Sequence, residues 1–209
     1  MLDAPLRSAL GPALDGGARR LDRLGLGAGT LTSLGLLIGI ACSVAAALSA
    51  WAPALVLWLA NRTLDGLDGP LARIRGATDL GGMLDFLSDF VVYAGFPIGV
   101  AVAMSDARIA VCVLLGTYLL NNVALLSFSS ILERRRIALG DERSIRFTTG
   151  LTEGTETIAC YSLVCAVPDH AGTIFWVFGG LVMITVGQRI LLAFRTLNDR
   201  GGACSNAGT

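Results

Sequence analysis

Four aspartates interrupt an otherwise apolar stretch of the chain: Asp65 and Asp68, three residues apart, and Asp85 and Asp89, four apart. On helices each pair shares one face, and a connecting segment that folds back brings one pair towards the other. Four converging carboxylates repel one another and cannot all stay ionised without cations. Their all-oxygen donor set selects hard ions, Mg2+ or Mn2+, and a bound divalent metal points to phosphate or pyrophosphate chemistry. The intervening residues suit that chemistry. Gly69, Gly76, Gly81 and Gly82 let a ligand approach the backbone, and Arg73 offers a forked donor to phosphate oxygens. The plain alternative is a polar loop over 62–89 with surface aspartates. That suffices for Asp79 alone, but chance rarely writes two in-phase carboxylate pairs across a hairpin in so apolar a chain.

The elements that must position these residues are membrane helices. Of 209 residues, 54% are hydrophobic and 15% charged, against about 25% charged in a soluble domain. Sixteen basic residues, all Arg, balance sixteen acidic ones, so no net field draws in nucleic acid. Residues 24–61, 90–105, 109–132, 157–168 and 170–188 lack charge altogether, and the first of these, 38 residues long, is divided by the Ser49-Ala50-Trp51-Ala52-Pro53 break. The expectation is an all-α polytopic membrane protein with six transmembrane helices. Turns are expected at Ser105-Asp106 and at Pro168-Asp169-His170.

The whole chain, 1–209, reads as a single membrane domain, with 1–28 a cytoplasmic amphipathic lead-in and 198–209 a flexible tail. The first 23 residues carry four Arg and three Asp, so no cleavable signal peptide is expected. An even number of spans puts both termini on one side. Fifteen of sixteen Arg, those of the expected loops 62–75 and 134–146 among them, then share that side, with only Arg108 opposite, which makes it the cytoplasm. The cysteines (Cys42, Cys112, Cys160, Cys165 and Cys204) follow no ligand spacing and read as small packing residues.

The run Asp65-Gly-Leu-Asp68-Gly69-Pro-Leu-Ala72-Arg73, seven further residues, then Gly81-Gly-Met-Leu-Asp85-Phe-Leu-Ser-Asp89 closely resembles the CDP-alcohol phosphatidyltransferase signature D-x-x-D-G-x-x-A-R, spacer, G-x-x-x-D-x-x-x-D. All eight fixed letters are present. The resemblance implies a six-span enzyme of a bacterial cytoplasmic (inner) membrane, working in phospholipid biosynthesis and homodimeric. It transfers the phosphatidyl group of a CDP-alcohol, here CDP-diacylglycerol, to a small hydroxylated acceptor, and CMP leaves. It further implies that Asp65, Asp68 and Asp85 hold Mg2+ or Mn2+ and that Asp89 both helps hold metal and accepts the acceptor's proton. Gly69 and Arg73 would line the CDP site, with Thr78 as a further loop contact. The family's P-N-x-L-T, also part of the nucleotide site, is represented by Ala28-Gly29-Thr30-Leu31-Thr32, in which Leu31 and Thr32 match and Pro and Asn are missing.

Acceptor choice must be made outside the signature. Arg146 and Arg189 are candidates for gripping an anionic acceptor, and Arg189, after a 19-residue charge-free run, would otherwise reach for lipid headgroups. Arg134 to Arg136 read as a headgroup anchor. Thr152-Glu153-Gly154-Thr155-Glu156-Thr157 is similar to a string in a bacterial branch of the same family, which makes Glu153 and Glu156 acceptor-pocket candidates beside their plainer reading as helix-start acids. His170, the single histidine, reads as a solvated turn residue. Gly35 and Gly39, and Gly95 and Gly99, are spaced for close helix contact, within the chain or between subunits. Two other functions compete. A membrane prenyltransferase also sets Asp-rich motifs and Mg2+ against pyrophosphate, but it needs a second aspartate motif that this chain lacks. A transporter or scaffold would disperse its charges along a pathway rather than gather them at one end.

Overall fold

The computed structural model describes residues 3–135 and 154–198, and among them it contains seven α-helices and no strand. They are α1 (Asp3–Arg23), α2 (Ala28–Ala47), α3 (Trp51–Arg75), α4 (Asp79–Ala103), α5 (Arg108–Arg134), α6 (Gly154–Ala166) and α7 (Ala171–Asn198). Turns fall at the expected breaks: 48–50 between α2 and α3, a 3-10 turn Ser105–Ala107 before α5, and another, Pro168–His170, before α7.

Among the described residues, four stretches are long and apolar enough to cross a membrane: Ala28–Ala47, Asp79–Ala103, Ser105–Arg134 and Pro168–Leu197. This is fewer than the six spans expected. The difference lies in α3 and α6. The second half of α3 carries Arg62, Asp65, Asp68, Arg73 and Arg75, and α6 is only 13 residues long. The apolar helices leave large side chains such as Leu37, Val56, Leu119 and Phe194 more than 60% exposed, the all-round hydrophobicity of a helix that faces lipid.

Residues 62–75, counted as a loop in the Arg distribution although Asp65 and Asp68 are expected at a helix end, are helical throughout, and only 76–78 separate α3 from α4. Gly76 sits at φ +92°, a left-handed conformation that favours glycine. Thr78 then opens α4 by accepting the Gly81 amide at 3.1 Å on its hydroxyl. The tight turn is what lays the two aspartate-bearing segments side by side.

α1 packs across the charged half of α3. Its Ala18 is fully buried with Leu31 and Leu71, and Arg75 pairs with Asp22 at 2.7 Å. α2 lies against α4 through the small residues picked out by their spacing. A Cβ at Gly39 would fall among the Val92 methyls, one at Gly95 would lie 2.7 Å from Ser43 Oγ, and one at Gly99 would strike the Ser43 carbonyl. Overpacking of that kind costs about 1–3 kcal/mol, so these glycines set the α2–α4 distance within the chain.

Below the aspartates an aromatic core joins α3, α4, α6 and α7. Tyr161 lies 4.6 Å from Phe96 and 4.9 Å from Trp58, ring centre to centre, and its hydroxyl donates to the Tyr93 carbonyl at 2.7 Å. Trp58 donates from α3 to the Ile158 carbonyl of α6 at 3.3 Å. Such close packing and interhelical bonding hold helices together where lipid supplies no hydrophobic drive. Of the described cysteines, Cys42, Cys160 and Cys165 are buried as expected, whereas Cys112 lies exposed.

Candidate active site

The charged half of α3 and the opening turns of α4 face one another across a pocket lined by Asp65, Asp68, Asp85 and Asp89, with Thr32 and Gly35 of α2 and Asn61 and Arg62 of α3. The spacing argument holds to this extent: each i, i+3 or i, i+4 pair presents one face, and the faces meet. They meet as two pairs across the helices. Asp85 lies within hydrogen-bonding reach of Asp68, and Asp89 within reach of Asp65. Among the described residues no three Asp, Glu, His or Cys side chains form a ready metal cage.

Asp68 is the most secluded of the four at 5% exposure, and Thr32 Oγ1 donates to its Oδ2 at 2.5 Å. Asp85 is half-buried. Asp89 accepts from Arg62 Nη2 at 3.0 Å, and Asp65 lies 3.5 Å from Arg62 Nη1. The donor set fits a hard divalent cation in its chemistry, four carboxylates on one pocket, although one flank of that set is already bonded to a guanidinium.

The other residues singled out in the sequence divide into three groups. Leu31 and Thr32 line the pocket with the four aspartates. Gly69 and Arg73 lie one turn apart on α3, a Cβ on Gly69 falling 3.7 Å from the guanidinium, but Arg73 stands 70% exposed and 4.0 Å from Asp15 of α1 rather than among the aspartates. Thr78 spends its hydroxyl on capping α4. Arg189 does not reach the aspartate pocket. It is 6% exposed, donates to Asn121 Oδ1 at 2.8 Å, and lines a separate cavity between α5 and α7 with Ser127 and Phe128. The headgroup-reaching alternative for Arg189 is therefore set aside. Glu156 is half-buried in the first turn of α6. Arg146 and Glu153 lie outside the described residues.

Arg62 is the residue that the sequence reading passed over. It was counted with a loop, yet it stands three residues before Asp65 on the same helical stripe. That i−3 position, next to a carboxylate pair in an apolar chain, was the signal that could have found it. Tyr93, one turn beyond Asp89, joins the site in the same way.

The helical bundle that holds this pocket has counterparts among known proteins. The chain belongs to the CDP-alcohol phosphatidyltransferase family, whose model matches residues 27–187, and it is an enzyme of that class. It is 36% identical over 202 residues to the inner membrane protein YnjF of Escherichia coli (strain K12), an alignment that covers 95% of this chain and 98% of that protein. Among solved structures it is similar to the phosphatidylinositol phosphate synthase PgsA1 of Mycobacterium tuberculosis. With CDP-DAG bound, that structure aligns at a TM-score of 0.69 and 20% identity over 87% of this chain and 93% of its own. The manganese and citrate complex of the same protein aligns at 0.68 and 20% identity over 87% and 88%. At that identity the likeness establishes the shared helical fold.

Proposed function

We propose that this chain transfers the phosphatidyl group of CDP-diacylglycerol to a small hydroxylated acceptor, releasing CMP, in the phospholipid biosynthesis of a bacterial inner membrane. The observation that carries the reading is the meeting of Asp65, Asp68, Asp85 and Asp89 on one pocket between α3 and α4. Asp65, Asp68 and Asp85, with help from Asp89, would hold Mg2+ or Mn2+. When bound, such an ion neutralises the pyrophosphate and stabilises the leaving CMP oxyanion.

Asp89 accepts the proton of the acceptor hydroxyl as its oxygen attacks the β-phosphorus. The new phosphodiester bond forms, the bond from that phosphorus to the bridging oxygen breaks, and CMP leaves with the bridging oxygen. Thr32 fixes the Asp68 carboxylate by its hydrogen bond. Leu31 closes the pocket beside it, and Gly69, Arg73 and the turn at Thr78 form the side from which CDP enters. Arg189 and Glu156 serve the acceptor from outside the aspartate pocket, and Arg146 and Glu153 are further acceptor contacts.

In this reading α3 and α6, the first by its apolar half and the second as a short helix, complete six spans with α2, α4, α5 and α7, and α1 and both termini lie on the cytoplasmic side, as the Arg distribution favours. The chain forms a single domain, and the enzyme works as a homodimer. The E. coli relative's description as an inner membrane protein supports the inner-membrane location.

Purified protein given radiolabelled CDP-diacylglycerol and a panel of acceptors, glycerol 3-phosphate and neutral polyols among them, is expected to release CMP only with the right acceptor and to yield one new phosphodiester lipid. Release that no acceptor accelerates would contradict the transferase reading. Turnover of a prenyl diphosphate instead would favour the prenyltransferase.

A further inference from the structure

A buried cation among the aspartates has no assigned work. Arg62 is 8% exposed, and a charge so secluded must be fully paired. Its guanidinium lies over the ring of Trp58, at 4.9 Å, and over that of Tyr93, at 4.8 Å. Nε and Nη2 both donate to Asn61 Oδ1, at 2.8 and 2.6 Å, and Asn61 in turn donates to the Gly35 carbonyl of α2 at 2.8 Å. Nη1 donates to the Tyr93 hydroxyl at 2.8 Å. What remains of the fork points at carboxylates: Nη2 to Asp89 at 3.0 Å and Nη1 to Asp65 at 3.5 Å.

The guanidinium is thus fixed from α2, α3 and α4 before it touches either aspartate. A structural ion pair would need only the two charges. Here the Trp58 and Tyr93 rings, the Asn61 amide and the Tyr93 hydroxyl hold the cation in one orientation, so that its remaining donors orient the carboxylates. We propose that Arg62 is a positioning residue, which fixes the Asp89 carboxylate for proton acceptance and keeps Asp65 facing the same pocket. The proposal rests on the reading of Asp89 as the base.

Because Arg62 acts through Asp89, its loss must show in turnover, and must cease to matter once Asp89 is gone. In the full-length enzyme with CDP-diacylglycerol, Arg62→Gln is expected to lower kcat about tenfold or more while KM for the CDP-lipid stays within about threefold. Removing a positive charge beside the carboxylates should leave Mn2+ binding, followed by electron paramagnetic resonance without substrate, no weaker than in the wild type. Arg62→Lys should restore part of the turnover, since it returns the charge but not the planar fork. In an Asp89→Asn background, adding Arg62→Gln should cost less than about threefold, the non-additivity of residues that act as one unit.

Tyr93→Phe removes one bond to the guanidinium and keeps ring and charge, so it should lower kcat in the same direction by less. It decides the question should Arg62→Gln fail to fold. Near wild-type turnover in the tested variant would overturn the proposal, as would equal losses in both backgrounds or a collapse of Mn2+ binding in Arg62→Gln. The two readings fail separately. Near wild-type turnover in Asp89→Asn takes down the base assignment and this proposal with it, whereas a slow Asp89→Asn beside a normal Arg62→Gln removes the proposal alone.

Discussion

Replacing Asp89 by Asn is expected to lower turnover on the order of a hundredfold or more, the effect of losing a general base, while CDP-lipid binding survives. The substitution is well suited to the question because Asp89 lies in a half-buried position and accepts from Arg62 through one oxygen. An amide oxygen can accept the same bond, so the contact with α3 persists and the change removes basicity and charge. Asp89 also stands one turn further along α4 than Asp85 and faces Asp65 of α3, and in the proposed function it is the carboxylate that meets the acceptor hydroxyl. The check is steady-state CMP release alongside a thermal-shift titration with CDP and Mg2+. Retained binding with lost turnover supports the base, and turnover near wild type removes Asp89 from the chemistry.

The second large effect concerns the cation. Excess EDTA is expected to abolish CMP release, and Mg2+ or Mn2+ to restore it. Asp68→Asn should instead weaken CDP binding itself. Asp68 is the most buried carboxylate, held by Thr32 and within reach of Asp85. Its loss takes negative charge from the part of the pocket where Arg62 offers no substitute cation. Asp89→Asn and Asp68→Asn should therefore separate in a binding assay, one retaining nucleotide and the other losing it. Full activity in excess chelator would contradict the metal assignment.

How much of this was legible in the sequence varies with the physical signal. The two carboxylate pairs were legible because helical phase is local: an i, i+3 or i, i+4 spacing fixes a shared face whatever the tertiary fold. Absence of charge marked the middles of the helices but not their ends. α4 begins at Asp79, eleven residues before the charge-free run 90–105, and α7 continues to Asn198, ten residues beyond 188. Charged residues do not by themselves stop a helix, so the stretch 62–75 reads as a loop when it is the charged half of α3.

Arg62 was missed for the same reason: grouped with a cytoplasmic loop, it looked like a topological signal, while its burial depends on Trp58, Asn61 and Tyr93 meeting it in space. The placement of Arg189 against Asn121 is likewise tertiary, since nothing in the sequence pairs α7 with α5. The glycines were the opposite case. Their spacing announced a close contact, and only the partner, Ser43 for Gly95 and Gly99 and Val92 for Gly39, had to be found.

The central claim is that the pocket between α3 and α4 binds divalent metal together with the CDP pyrophosphate. The most direct measurement is an anomalous difference map from crystals of the full chain grown with Mn2+ and CDP. The account predicts manganese peaks among Asp65, Asp68, Asp85 and Asp89, with pyrophosphate oxygens in the same coordination sphere. Nucleotide bound elsewhere, or manganese away from these four carboxylates, would contradict it.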